Sequence, residues 1–233
     1  MKIVFCWDDG AKEDLKLIEY HKKYQIPGMF FVPTINKEGR SVLSPEELIE
    51  ASKTELIKFG GHTQNHVYLK TLPISNVMEE VLQNVKYLEN TLRCKIKHFC
   101  FPGGSYNKKI IKIIEPYFDT LRTADTCSFR IKKNKILKPS IHFYNRGKKS
   151  LLLNCIRHAS IREFFFILFH IKKDYFDLIK DIVDFESKKS ESQIIIWGHS
   201  WEIEEFQLWD KLDLLFDYLK KNYSDSIVTY DKL

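Results

Sequence analysis

The chain has 233 residues, with 37 Lys and Arg against 31 Asp and Glu, for a formal net charge of +6. A composition of 44% hydrophobic and 29% charged residues excludes wholesale disorder, and 9 Gly and 7 Pro exclude a collagen-like or linker-like chain. A chain of this length buries roughly 70% of its unfolded surface on folding and needs neither disulfide nor metal staples.

Short apolar runs alternate with helical patterns along the chain. Ile3 to Trp7 predicts a buried strand, Lys12 to Tyr24 a helix, and Gly28 to Thr34 a second strand. Pro45 to Lys53 predicts a helix, with Ser44 and Glu47 spaced as a capping box. Leu56 to Phe59 reads as a short strand running into Gly60-Gly61, and Ser75 to Leu92 as a long amphipathic helix. His98 to Phe101 reads as a strand, Lys108 to Glu115 as a helix stopped by Pro116, and Phe118 to Thr123 as a strand. Residues 124–150 look irregular and basic, and residues 151–185 helical and rich in Phe. Gln193 to Trp197 is a strong strand, Phe206 to Lys221 a helix, and Ile227 to Tyr230 a last strand. Strands alternating with helices imply parallel βαβ units, hence an α/β barrel or a doubly wound sheet.

The charge pattern says little about partners. Lysines scattered through helices read as solvated surface rather than a nucleic-acid footprint, and no nucleic-acid partner is expected. The densest basic stretch is Arg130, Lys132, Lys133, Lys135 and Lys138, which would attract an anionic substrate or membrane surface. Cys6, Cys94, Cys100, Cys127 and Cys155 are odd in number and form no CxxC pair, which suggests reduced thiols. The apolar N-terminal run is too short for a signal peptide, and Phe164 to Phe169 is far shorter than the ~20 residues of a membrane span. The expectation is a cytoplasmic protein. For Phe164 to Phe169 the plain reading is a buried outer-layer helix, and the alternative is a peripheral membrane contact.

Four polar clusters each follow a predicted strand: Asp8-Asp9-Gly10, His62-Thr63-Gln64-Asn65-His66, Pro102-Gly103-Gly104-Ser105-Tyr106 and Gly198-His199-Ser200. In a βα barrel all those strand ends open on one face, where active sites sit. His62 and His66, four apart, are expected on one side of a helical turn. Two imidazoles and one carboxylate, Asp9, leave a metal with open positions, the pattern of a catalytic site. Asp8 beside it suits a base for metal-activated water, and His199 a proton donor to a leaving group. Each cluster alone is an ordinary turn or surface feature; their shared address carries the reading.

These residues resemble the polysaccharide deacetylase family, carbohydrate esterase family four. The resemblance rests on Phe5-Cys6-Trp7-Asp8-Asp9-Gly10 and on the HTxxH sequence at 62–66, with looser likeness at Pro27 to Pro33, Phe99 to Gly104, Ile196 to His199 and Ile227 to Tyr230. It spans nearly the whole chain except residues 124–190, read as an irregular and helical insertion in one catalytic domain of residues 1–233. The resemblance implies a distorted (β/α)7 barrel. It implies Asp8 as general base, His199 as acid, and Asp9, His62 and His66 as ligands of one divalent metal, zinc foremost with cobalt, nickel, iron or manganese admitted. It also implies that the loop of Pro102, Gly103, Gly104 and Tyr106 walls the groove and supplies an oxyanion donor. The implied activity is removal of an N-acetyl group from a sugar, releasing acetate. The alternatives are hydrolysis of another amide or an O-acetyl ester, or a non-catalytic carbohydrate-binding relative. The sequence departs from the family where Cys100 stands in place of an arginine that orients the base, and Arg122 is the candidate substitute. Trp201 is expected either to stack a sugar or to pack under the rim. Without an export signal, the substrate expected is a nucleotide-linked or lipid-linked sugar or a growing glycan.

Overall fold

The structure is a computed structural model that describes residues 1–131, 134–145, 147–189 and 191–233. Lys132 and Lys133 of the basic stretch therefore lie outside the described residues.

Among the described residues eight strands form one parallel sheet: β1 (Lys2–Asp8), β2 (Gly28–Val32), β3 (Ile57–Gly61), β4 (His98–Cys100), β5 (Thr120–Arg122), β6 (Ile136–Leu137), β7 (Ile141–His142) and β8 (Gln193–His199). Their order is β6-β5-β4-β3-β2-β1-β8-β7. The two ends of that order, β6 and β7, are joined by only Lys138, Pro139 and Ser140. Such a link spans at most about 14 Å, so the sheet has to curl until its edges nearly meet. Residues 136–142 thus act as one interrupted strand between β5 and β8, and the architecture is a distorted (β/α)7 barrel.

Side chains alternate along each strand, which sorts them into two layers. Val4 and Cys6 face the barrel interior with Met29, Phe31, Cys100, Leu137, Ile195 and Trp197. Ile3, Phe5 and Trp7 face outward into the layer beneath the helices, with Phe30, Phe99 and Ile196. Asp8 continues the inward phase, which places its carboxylate at the top of the interior.

The outer layer contains α1 (Asp14–Tyr24), α2 (Pro45–Ser52), α3 (Ile74–Leu92), α4 (Lys108–Ile114), α5 (Lys148–Arg157), α6 (Ile161–Phe169), α7 (Tyr175–Ser187), α8 (Ser200–Glu205) and α9 (Trp209–Tyr223). The capping box at Ser44 and Glu47 forms as its spacing predicts. The region expected to be irregular, 124–150, supplies the two short closing strands. Helix α7 buries Leu178, Ile179, Ile182 and Val183 as an ordinary barrel helix preceding β8.

Two expectations fail. Ile227 to Tyr230 is not a strand: only a single bridge joins Ile227 to Ile3, after which Tyr230 begins a 3-10 turn. Tyr230 is 3% exposed and packs on Phe31 and His98, so it plugs the interior rather than extending the sheet. Helix α6 is not a buried helix: Ile161, Phe165, Leu168 and Phe169 are exposed, Phe169 by 82%, and only Ile167 of its apolar residues is fully buried. Two turns of helix present one face to the body, and this stretch has apolar residues on both. Among the described residues no helix is long and apolar enough to cross a membrane.

Candidate active site

Asp8, Asp9, His62, His66, Gly103, Gly104, His199 and Trp201 line one cleft at the C-terminal mouth of the barrel, with a volume of about 340 Å³. Glu38, Arg40, Tyr68, Ala124 and Trp197 complete its walls. Strand ends explain the convergence, and local backbone conformations complete it. Asp9, Thr63 and His66 all have left-handed backbone (φ 76°, 68° and 53°). Such conformations cost on the order of 1–3 kcal/mol each in non-glycine residues and persist where surrounding structure enforces them. His62 and His66 therefore meet through a tight loop, not along a helical turn as their spacing suggests. Helix α3 clamps that loop. Buried Asn84 accepts from the His62 N–H (2.8 Å) and donates to the Val32 carbonyl (3.1 Å), while Glu80 accepts from Asn65.

Asp9 Oδ1 lies 3.0 Å from His66 Nε2 and 3.4 Å from His62 Nε2. Ligands of a tetrahedral zinc ion stand about 3.3 Å apart, given Zn–N bonds near 2.0–2.1 Å. The donor set fits in chemistry as well. His62 Nδ1 faces the Cys100 carbonyl at 2.8 Å, so its proton belongs there and Nε2 keeps its lone pair for a cation. His66 Nδ1 is buried without a hydrogen-bond partner and faces Glu38 at 3.5 Å. Burial alone would raise the Asp9 carboxyl, but His199, His62 and His66 together hold it well below the usual carboxylate range.

Asp8 has a separate environment. Arg122, wholly buried inside the barrel, donates to Asp8 Oδ1 and to the Thr123 carbonyl (3.0 Å). Its guanidinium sits between the rings of Phe31 (5.2 Å) and Trp197 (4.9 Å). Cys100 Sγ reaches Asp8 Oδ2 at 3.6 Å, and burial pushes its thiol well above the ordinary value, so it stays a protonated donor.

His199 closes the cleft opposite. Its Nε2 is 3.9 Å from Asp9 Oδ2, and its Nδ1 pairs with Glu202 at 2.7 Å. Burial pulls the imidazole down, but Asp9 and Glu202 outweigh it and hold the His199 pKa at about 9. Glu202 also pairs with His142 at 2.9 Å, and the His142 ring stacks on Trp197 at 4.2 Å.

Three expected residues sit differently. Trp201 lines the cleft, but its indole N–H donates to Asp9 Oδ2 (2.9 Å), and Arg40 lies 3.6 Å over its ring centre. Tyr106 does not line the cleft; its hydroxyl donates to Asp125 (2.7 Å) and its ring packs on Phe101. Pro102 is buried beneath the loop. The Gly104 N–H is taken by the Phe101 carbonyl (2.9 Å). Gly103 has φ 57°, and a side chain there would strike the Tyr68 ring at 2.8 Å. Sequence reading missed Glu202, His142, Asn84 and Arg40. Glu202 had a legible signal, standing three residues past His199 at the start of α8, where a carboxylate reaches back toward the cap position.

The sequence profile described as polysaccharide deacetylase matches residues 1–117. The chain belongs to the polysaccharide deacetylase family. Among curated relatives it is 25% identical over 128 residues to the uncharacterized protein YlxY of Bacillus subtilis (strain 168), covering 54% of this chain and 39% of that protein. The chain thus spans well under half the length of that relative. A family 4 carbohydrate esterase from Bacillus anthracis superimposes with a TM-score of 0.59 over 100% of this chain and 81% of its own, at 13% identity. A CE4 family pseudoenzyme from Bacillus anthracis gives 0.57 over 100% of this chain and 64% of its own, at 14% identity. Likeness at such identities shows the shared fold.

Proposed function

We propose that this deacetylase removes the N-acetyl group of an N-acetylated sugar, carried on a glycan, a lipid or a nucleotide. The observation that carries the reading is that the Asp9, His62 and His66 donor atoms lie within 4.8 Å of one another, with Asp8 and His199 lining the same cleft. A divalent cation held there, zinc foremost, supplies Lewis acidity toward the acetyl carbonyl and lowers the pKa of water. Asp8 accepts the proton of the attacking water, and Arg122 holds its carboxylate in place in the role family relatives give to the arginine replaced here by Cys100. The Gly103 N–H is the proposed oxyanion donor, since that of Gly104 is taken. His199, kept protonated and oriented by Glu202, delivers a proton to the departing amine, releasing acetate.

The test is metal analysis combined with acetate release from chitotriose and from N-acetylglucosamine conjugates. The expected result is one divalent ion per chain and acetate release that Asp8→Asn abolishes while metal stays bound. Metal-free protein with no acetate release would instead favour a non-catalytic relative. An O-acetyl esterase would cleave acetylated hydroxyls and leave the amide untouched.

A peripheral membrane contact belongs to the same proposal. Leu153 and Ile156 on α5 and Ile161, Phe165, Leu168 and Phe169 on α6 are exposed, with exposed Lys149, Arg157 and Arg162 beside them. The one acid on these two helices, Glu163, is buried and paired with Lys189. Apolar residues flanked by basic ones suit an anionic bilayer. Flotation with phosphatidylglycerol-containing vesicles is expected for the wild type and lost in Phe165→Ser/Phe169→Ser. Equal behaviour of the two proteins would refute the contact.

A further inference from the structure

We propose that Arg40 selects an anionic substrate: an N-acetylated sugar bearing a carboxylate or phosphate on the ring being deacetylated or on the atom joined to it. The proposal rests on the deacetylase reading and narrows its substrate.

Most charged groups of the cleft have a partner: Asp8 pairs with Arg122, Asp9 faces His62 and His66, and Glu202 pairs with His199 and His142. Glu38, half exposed, lies 3.5 Å from His66 without a hydrogen bond to it. Arg40 lines the same cleft and forms no ion pair with any described residue, and its Nε is buried without a hydrogen-bond partner. The buried, unmet Nε donor is a standing cost, and the Nη groups of a guanidinium match carboxylate or phosphate oxygens.

Its position is also fixed. The loop between β2 and α2 is tied back by the Leu43 N–H to the Gly10 carbonyl (2.8 Å), by Lys12 to Ser41 (3.2 Å) and by the Ala11–Val42 bridge. The guanidinium carbon lies 3.6 Å over the Trp201 ring centre, and the N–H of that ring holds Asp9. Stacking on Trp201 occupies one face of the guanidinium, Nε is buried, and the Nη donors have no partner among the described residues. A single indole thus links Arg40 to Asp9, which places the anion on the reacting sugar or the atom joined to it rather than far along a polymer.

The experiment measures kcat/KM for acetate release from N-acetylglucosamine 1-phosphate, N-acetylmuramic acid and the neutral methyl glycoside of N-acetylglucosamine. The wild type is expected to prefer one of the anionic sugars by about tenfold to hundredfold, chiefly through KM, with the preference shrinking as salt rises. The phosphate and carboxylate arms tell which anion is recognised. Arg40→Gln should collapse the preference, and Arg40→Lys should keep part of it. An equal loss on neutral and anionic sugars, or a loss of bound metal, would mean that Arg40 only packs Trp201, and would overturn the proposal. Failure of the deacetylase reading shows separately, as no acetate from any sugar. The proposal is then decided by calorimetry of N-acetylglucosamine 1-phosphate against N-acetylglucosamine, where equal binding to wild type overturns it and tighter phosphate binding lost in Arg40→Gln upholds it.

Discussion

His21 and His199 are both buried, and their surroundings drive them in opposite directions. His21 lies in the outer layer between β1 and the helices, surrounded by Phe5, Phe30 and Phe216. Its Nε2 accepts from the Trp7 indole (2.7 Å), and its Nδ1 faces the Ile26 carbonyl (2.9 Å). With no carboxylate there, burial pushes its pKa down to about 4. His199, at the barrel mouth, suffers the same desolvation, yet Asp9 and Glu202 carry it up to about 9. Burial by itself makes a neutral structural imidazole; burial beside carboxylates makes a proton donor.

The contrast can be broken from the mouth inward. The largest effect is expected from Asp8→Asn, which keeps the shape of the cleft but removes the base. Turnover should fall by about 10³-fold or more while metal content is unchanged, as steady-state assays and elemental analysis would show. Retained turnover would remove Asp8 from its assigned role. Glu202→Gln should then make His199 behave more like His21. Its pKa in metal-free protein, followed by NMR of the imidazole, should drop from about 9, and turnover should fall by about 10²-fold. Adding a divalent ion to the wild type should lower the same pKa, because the cation offsets the charge of Asp9.

A smaller change is expected in Trp201→Phe, which removes the N–H on Asp9 Oδ2. Metal affinity measured by chelator competition should weaken by about tenfold to hundredfold, the usual consequence of losing a group that holds a ligand in place. The smallest effect belongs to His21→Gln. Wild-type His21 stays neutral when folded but titrates near 6.5 when unfolded, so its contribution to stability is lost as pH falls from 6.5 toward about 4. His199 in the metal-free protein has the opposite sign, its contribution being present below 6.5 and lost as pH rises through about 9. Urea unfolding across this range should show a flatter acid limb in His21→Gln and an unchanged alkaline limb.

Much of this arrangement is legible in the chain itself. Buried parallel strands read as continuous apolar runs, and the polar cluster after each run must lie at the same end of the barrel. That is why Asp8, Asp9, His62, His66 and His199 stand out without any coordinates. Loops carry less periodic signal. The left-handed turns that bring His62 and His66 together, and the placing of Tyr106 on Asp125, follow from contacts with elements distant in sequence. His142 belongs to a strand of two residues, too short for any pattern to announce it.

The sequence by itself determined the alternation of strands and helices, the common end at which the polar clusters gather, and the chemistry of the groups found there. Only the tertiary structure decided how those groups are shared out: Arg122 to Asp8, Trp201 to Asp9, Glu202 to both His199 and His142, and Arg40 to no acid among the described residues. The reason is one of range. Apolar periodicity acts within a single element, whereas each of these partnerships depends on side-chain reach across a closed barrel, where burial leaves a charged group few alternatives to the partner it meets.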